Sequence, residues 1–224
     1  SALGLTPCIV FESVYSMDGD VSPISCVCDL AEKYNAITYI DEVHAVGLYG
    51  DTGAGMCEKL NETRCDIVNG TLGKAYGVQG GYIAGDGIII DAIRSVASGF
   101  IFTTSMSPVI CSGALASIKY LKDHNNLREL HQAKAQKLKT MLQDEGIEVH
   151  ESSSTHIVPV MIRDAKKCKQ YSDELLNEYG IYIQPINYPT VAVGQERLRI
   201  APTPMHSDAM MYDLVKALTA VIND

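Results

Sequence analysis

The sequence predicts an α/β fold, a mainly parallel sheet covered by helices, followed by a smaller α+β domain. Two observations predict it. In the first half, short and nearly continuous apolar strands alternate with helical patterns, the rhythm of βαβ units whose sheet is buried on both faces. From Pro108 onward the pattern changes to long helices, then to short strands interspersed with helices. The boundary is expected near Asp123–Asn126, dividing the chain into residues 1–124 and 125–224. A length of 224 residues suits two unequal domains at roughly 150 residues per domain.

Cys8–Glu12 (CIVFE) is a short apolar run with β-branched residues and predicts the first strand. Ser22-Pro23 supplies an N-cap and a first-turn proline for a helix over Pro23–Tyr34, with Ile24, Val27, Leu30 and Ala31 on one face. Ala36–Ile40 (AITYI) is a second strand, stopping at Asp41-Glu42. Asp66–Val68 leads into Gly70-Thr71, and Gly81–Ala84 (GYIA) is another strand. Asp86–Ser98 reads as a helix and Phe100–Thr103 (FIFT) as a strand. Pro108–Lys122 and Leu127–Glu145 are long helical patterns, separated by a turn at His124-Asn125-Asn126 and ended by Gly146. A strand at Ile157–Ile162, a helix over Ala165–Tyr179, strands near Ile181–Gln184 and Arg197–Ala201, and a helix from Ser207 complete the order. The chain opens almost directly on a strand, without the elements that fill the other side of a doubly wound sheet. An N-terminal portion is therefore expected to be missing from this polypeptide.

Composition narrows the function. Eighteen Lys and Arg against 27 Asp and Glu give a formal charge of −9, which counts against a large nucleic-acid or anionic-membrane surface. No apolar run approaches the roughly 18–20 residues of a membrane span, and the first residues do not read as a signal peptide. Seven cysteines contain no CxxC pair and no spacing for a zinc site. They are expected to be reduced thiols, mostly packed in the core, in a reducing interior. Bacterial cytoplasm is the expected compartment, ahead of the mitochondrial matrix.

Gly70-Thr71-Leu72-Gly73-Lys74-Ala75 is not a phosphate loop, because only two residues separate the first glycine from Gly-Lys and Ala75 follows the lysine. A glycine-turn lysine is most often solvated. The alternative is a lysine held in a buried cleft, where a lowered pKa makes the amine nucleophilic toward carbonyls. Asp41 stands at the end of a parallel strand, where α/β sheets bind ligands, and His44 follows three residues later. A strand-end cap with a satisfied histidine is the plainer account of that segment. Strand-end acid, following histidine and a glycine-flanked lysine about thirty residues on together match a pyridoxal-phosphate (PLP) site.

These residues also carry a family resemblance. D-E-V-H-A-V-G-L-Y-G at 41–50, G-T-L-G-K-A at 70–75 and F-I-F-T-T-S at 100–105 resemble the α-oxoamine synthases, fold-type I PLP enzymes. F-E-S-V-Y-S-M-D-G-D at 11–20 and G-I-Y-I-Q-P-I-N-Y-P-T-V at 180–191 are similar to the branch that condenses glycine with succinyl-CoA at the entry to heme biosynthesis. The resemblance implies that residues 1–124 are the C-terminal part of the cofactor-binding large domain and 125–224 the small domain. It implies Lys74 as the lysine that carries PLP, Asp41 as partner of the pyridine nitrogen and His44 as partner of the phenolic oxygen. Ser16 and Thr71 lie at cofactor-contacting positions. Thr103 and Thr104 resemble a pair that reaches the phosphate from the other subunit of a homodimer. Arg199 matches an arginine for the amino-acid carboxylate, and Thr190 a threonine for the succinyl carboxylate. The family's N-terminal portion supplies a ring-stacking histidine, a substrate-binding asparagine, a glycine-rich phosphate loop and a further arginine, and none is present here. Sister enzymes that use another acyl-CoA, and a non-catalytic chain, are the alternatives.

The remaining signals are structural. Arg197 reads as a surface strand arginine, Lys166-Lys167-Cys168-Lys169 as a solvated helix face, and Met205, Met210 and Met211 as packing around the last helix. His150 and Thr155-His156 flank a strand without the carboxylates a metal site needs.

Overall fold

The structure, a computed structural model, describes residues 6–223. The chain forms two compact units. One runs to Val14 and resumes from Val21 to Arg128; the other takes Tyr15–Asp20 together with the residues from Glu129 onward.

In the first unit, β1 (Cys8–Glu12), α1 (Ile24–Tyr34), β2 (Ile37–Asp41), α2 (Met56–Lys59), β3 (Ile67–Thr71) and β4 (Gly81–Gly85) precede α3 (Gly87–Val96), α4 (Ser98–Ile101) and α5 (Pro108–Asp123). The sheet order is β1-β2-β3-β4. Pairing is parallel from β1 to β3, with Glu12 opposite Asp41 and Asp41 opposite Asn69. β4 returns antiparallel to β3, because the connection 72–80 is shorter than the dozen or so residues a parallel crossover needs. The three parallel strands therefore end on the same edge. Val46, Leu72, Tyr76 and Ala114 pack together beneath the loops that leave it.

Four expectations fail, the first three of them in this unit. FIFT is no strand: Phe100 N–H bonds Ala97 O at 2.9 Å and Phe102 N–H bonds Ser98 O at 3.0 Å, a helical turn. Its aromatic and β-branched composition resembles a strand, but Phe100 and Phe102 are exposed and the backbone bonds are local. Ser22 is not an N-cap. Its N–H donates to Ser13 O and its carbonyl accepts from Ile24 N–H, so the helix starts at Ile24 with Pro23 in the cap position. The buried face of α1 is Ile24, Cys28 and Ala31, while Leu30 is exposed. Finally, the cysteines are not mostly core: Cys8, Cys26 and Cys111 are exposed and only Cys28 and Cys168 are buried.

In the second unit, β5 (Val158–Met161), β6 (Gln184–Ile186) and β7 (Arg197–Ile200) form an antiparallel sheet in the order β5-β7-β6. It packs with α6 (Asn125–Asp144, which begins in the first unit), α7 (Ala165–Tyr179) and α8 (Asp208–Asn223) around Leu142, Val160, Leu175, Leu198 and Leu218. α7 spans the residues expected of it. The Asp164 carboxylate accepts from the N–H groups of Lys166 and Lys167, and Gly180 closes the helix at φ +67°. Those two N–H bonds hold the Asp164 carboxyl below its ordinary range. Met211 is buried, but Met205 and Met210 are exposed, so the methionine packing is only partly as expected.

Arg197 is a clear correction. It is 2% exposed, not a surface residue. Residues two apart in a strand share a face, and both arginines of β7 turn toward Tyr15–Asp20. Arg197 donates to Met17 O at 3.0 Å, to Gln195 O at 2.8 Å and to the Asp18 carboxylate. Arg199 donates to Ser16 O at 3.1 Å. The segment is fastened further by Thr155, whose hydroxyl donates to Gly19 O at 2.7 Å.

Candidate active site

The ends of β2 and β3 carry the candidate chemistry of the first unit. Asp41 is the last residue of β2. Its Oδ1 accepts the N–H of Val43 at 2.8 Å, and its Oδ2 accepts from the Asn69 side chain at 3.2 Å. The first bond is the strand-end cap; the second ties the carboxylate to the neighbouring strand. Asp41 also helps hold Tyr39 neutral: burial, and then the Asp41 charge, raise the phenol's pKa.

After Asp41 the chain turns back on Glu42, whose carbonyl accepts the N–H groups of Ala45 at 2.8 Å and Val46 at 2.9 Å. This turn presents His44. The loop after β3 presents Lys74, with the Gly77 N–H closing on Lys74 O at 3.0 Å. Lys74 is exposed, not held in a buried cleft. Its Nζ nevertheless lies 2.8 Å from His44 Nε2, thirty residues away in sequence. Gly47 permits this meeting of loops: at φ +81° a Cβ there would sit 2.7 Å from the Ala75 Cβ. A primary amine against an imidazole can exchange a proton with it, and the nearby carboxylate is fixed by donors on both oxygens.

Thr71 ends β3, donating to Gly80 O at 3.3 Å and accepting from Gly73 N–H at 3.1 Å. Its hydroxyl thus shapes the turn that leads to Lys74. Thr103 and Thr104 lie in the exposed segment between α4 and α5. In the second unit, Ser16 and Arg199 meet through the Ser16 carbonyl, as above. Thr190 is exposed in a turn in which its N–H bonds Asn187 O at 2.9 Å.

Two supporting residues escaped sequence reasoning. Glu42 is fully buried. It accepts Ser13 Oγ–H at 2.5 Å, Met56 N–H at 2.9 Å and Cys57 N–H at 2.8 Å. It thereby binds the ends of β1 and β2 to α2, one residue from Asp41. Arg128, 4% exposed, donates to the carbonyls of Leu121 and Asp51 and to Asn125 Oδ1, pinning the loop that follows His44. Only the adjacent acid pair Asp41-Glu42 hinted at the former. No sequence signal marked the latter. Among the described residues, no group of three or more His, Cys, Asp or Glu is arranged to hold a metal ion, and no helix is long and apolar enough to cross a membrane.

Residues 2–218 match the family model described as aminotransferase class I and II. The chain is 59% identical to a 5-aminolevulinate synthase of Bradyrhizobium diazoefficiens over 95% of its length and 52% of that protein. It is 56% identical to the 5-aminolevulinate synthase of Rhizobium meliloti over 94% of its length and 52% of that protein. It spans about half the length of these curated relatives. Among solved structures it resembles SPT with a PLP internal aldimine, at a TM-score of 0.92 and 28% identity, covering 98% of this chain and 56% of the other.

Proposed function

The chain belongs to the aminotransferase class I and II family, and from that premise we propose that it works in a PLP-dependent 5-aminolevulinate synthase, condensing glycine with succinyl-CoA. The observation that carries this is the Lys74 Nζ–His44 Nε2 contact of 2.8 Å, with Asp41, three residues before His44, hydrogen-bonded through both oxygens at the end of β2. It lies within a stretch similar to proteins of that name. Membership of the family accounts for the fold: a mainly parallel sheet followed by an α+β unit.

The residues present fit PLP. Lys74 offers a primary amine for its aldehyde. Asp41 offers a fixed carboxylate for a ring N–H, and His44 a donor for an oxygen. Bound there, PLP supplies an electron sink for negative charge at the α-carbon of an amino acid. Asp41 would keep the ring nitrogen protonated through a charge-assisted bond. Lys74 would take the proton from the glycine α-carbon and return it, with His44 orienting the amine. Thr71 and Ser16 would hold the cofactor from this chain, and Thr103 and Thr104 its phosphate from the second subunit of a homodimer. Arg199 suits a carboxylate because its planar guanidinium can donate two parallel bonds; we assign it the glycine carboxylate. Thr190 would donate to the succinyl carboxylate. The similarity to bacterial relatives supports a cytoplasmic protein.

Borohydride reduction of the PLP-loaded protein, followed by peptide mapping, is expected to place the pyridoxyl group on Lys74; a label on another lysine would overturn the assignment. In the complete enzyme, Thr190→Val is expected to lower kcat/KM for succinyl-CoA about ten- to a hundredfold more than for butyryl-CoA, the size of one charge-assisted hydrogen bond. Equal losses would leave Thr190 as a turn residue.

A further inference from the structure

Three of the seven cysteines come together in the first unit. Cys28 Sγ lies 3.7 Å from Cys65 Sγ, and Cys57 Sγ lies 3.9 Å from it on another approach. Cys65 is the shared member. The three come from α1, α2 and the loop before β3; the turn in which Glu62 N–H bonds Cys57 O at 2.9 Å folds Cys65 back toward Cys57, while Cys28 comes from 37 residues away.

The flanking residues hold Cys65 in place from both sides. Arg64 fastens the loop to α1 through Asp29 at 2.8 Å, Glu32 at 3.2 Å and Ser25 Oγ at 3.1 Å, and to Glu62 within the loop. Asp66 on the other side accepts Thr38 N–H at 2.8 Å and Thr38 Oγ–H at 2.9 Å, while its own N–H donates to Thr38 Oγ1. Cys57 is held by its N–H bond to the buried Glu42. Cys28 is buried, whereas Cys57 and Cys65 keep some exposure, so a small reagent can reach the cluster.

We propose that Cys65, with Cys57 and Cys28, forms a reversible thiol–disulfide site whose oxidant is a hydroperoxide. The Cys65 thiolate attacks the hydroperoxide, the O–O bond breaks, and the departing oxygen takes a proton and leaves as an alcohol or water. Cys65 becomes a sulfenic acid. The thiol of Cys57 or Cys28 then attacks that sulfur, an S–S bond forms, the S–O bond breaks and water leaves. In sum, two thiols are oxidised to one disulfide while one hydroperoxide is reduced. A dithiol reductant reverses the change by exchange. Each gap must close to about 2.05 Å for the bond to form.

The electrostatics favour this division of labour. The Cys57 hydrogen bond, and then that from Cys28, lower the Cys65 pKa, so Cys65 is the thiol that ionises. The same hydrogen bond raises that of Cys57, and burial pushes Cys28 up to about 12. Both neighbours therefore remain protonated beside it. None of this depends on what the site at Lys74 does.

The test is stoichiometric tert-butyl hydroperoxide on the reduced 224-residue chain, then blocking of free thiols with N-ethylmaleimide and peptide mapping without reductant. The expected product is a disulfide that contains Cys65, with Cys8, Cys26 and Cys111 still labelled and full recovery of thiols in dithiothreitol. Cys65→Ser and Cys65→Ala are both expected to abolish it. Cys28→Ser and Cys57→Ser should each keep a disulfide through the remaining partner. A disulfide that lacks Cys65, or oxidation of the exposed cysteines while Cys65 keeps its thiol, would overturn the proposal.

Discussion

Replacing Glu42 with glutamine removes a charge and little else, and the cost can be worked from its contacts. Oε2 accepts from Ser13 Oγ and Met56 N–H, and Oε1 accepts from Cys57 N–H. An amide oxygen in place of Oε2 keeps two bonds, each weaker by about 1 kcal/mol without the charge. The amide NH₂ then faces the Cys57 N–H, donor against donor, which strands a buried group at about 1–3 kcal/mol. Glu42→Gln should therefore destabilise by about 3–5 kcal/mol. Glu58→Gln is the matched control. Glu58 takes a comparable set of bonds, from Ala54 N–H at 2.9 Å, Thr52 Oγ–H at 2.8 Å and Thr52 N–H, but close to solvent. Its loss should stay near or below about 1 kcal/mol. Urea unfolding of both variants, with amide exchange at Met56 and Cys57 as the local readout, measures the difference. Equal losses in the two variants would refute the claim that burial of the Glu42 carboxylate sets its value.

Gly55→Ala should be costly: at φ +124° its Cβ would lie 2.8 Å from Glu42 Cδ, so about 2 kcal/mol or more is expected. Gly77→Ala, at φ +67° with open space around it, should lose only about 1–2 kcal/mol in the same unfolding assay. Lys139 donates to Ser153 O at 2.9 Å and Thr155 O at 2.6 Å, and burial pushes its amine down to about 8. Between about pH 8 and the ordinary lysine range the unfolded chain binds more protons, so stability should rise with pH there; Lys139→Met should remove that rise in a pH series of urea midpoints. Arg197→Met should strand the carbonyl of Met17 and free Asp18, costing about 2–3 kcal/mol because Asp18 is part-exposed and screened. Limited proteolysis should then cut within 15–20 far sooner than in the parent chain.

The legible parts of this protein had local causes. α7 spans the expected Ala165–Tyr179, and the residues that fix its ends, Asp164 and Gly180, act within a few residues of themselves. His44 and Lys74 stand in separate motifs thirty residues apart, and neither motif contains their 2.8 Å approach. FIFT failed because composition resembled a strand while nothing in the sequence could say whether a neighbouring strand would pair with it. Ser22 failed because its backbone was taken by Ser13. Met211 is buried as expected and Met210 beside it is exposed, because helical periodicity cannot tell which part of an apolar face meets a neighbour; Met205 precedes the helix.

The sequence by itself determined most of the helices and strands, though not the helical turn at Ser98–Ile101, and it determined which residue types stand at the strand ends and which family the chain belongs to. Those properties depend on patterns read over short windows. Only the tertiary structure decided that Glu42 would be anchored by Ser13 across 29 residues, that Cys28 would meet Cys65 across 37, and that Arg197 would be buried against Met17 across 180. Such contacts depend on where whole elements dock. A buried carboxylate, thiol or guanidinium is tolerated only where distant partners satisfy it, and no short window of sequence contains both partners.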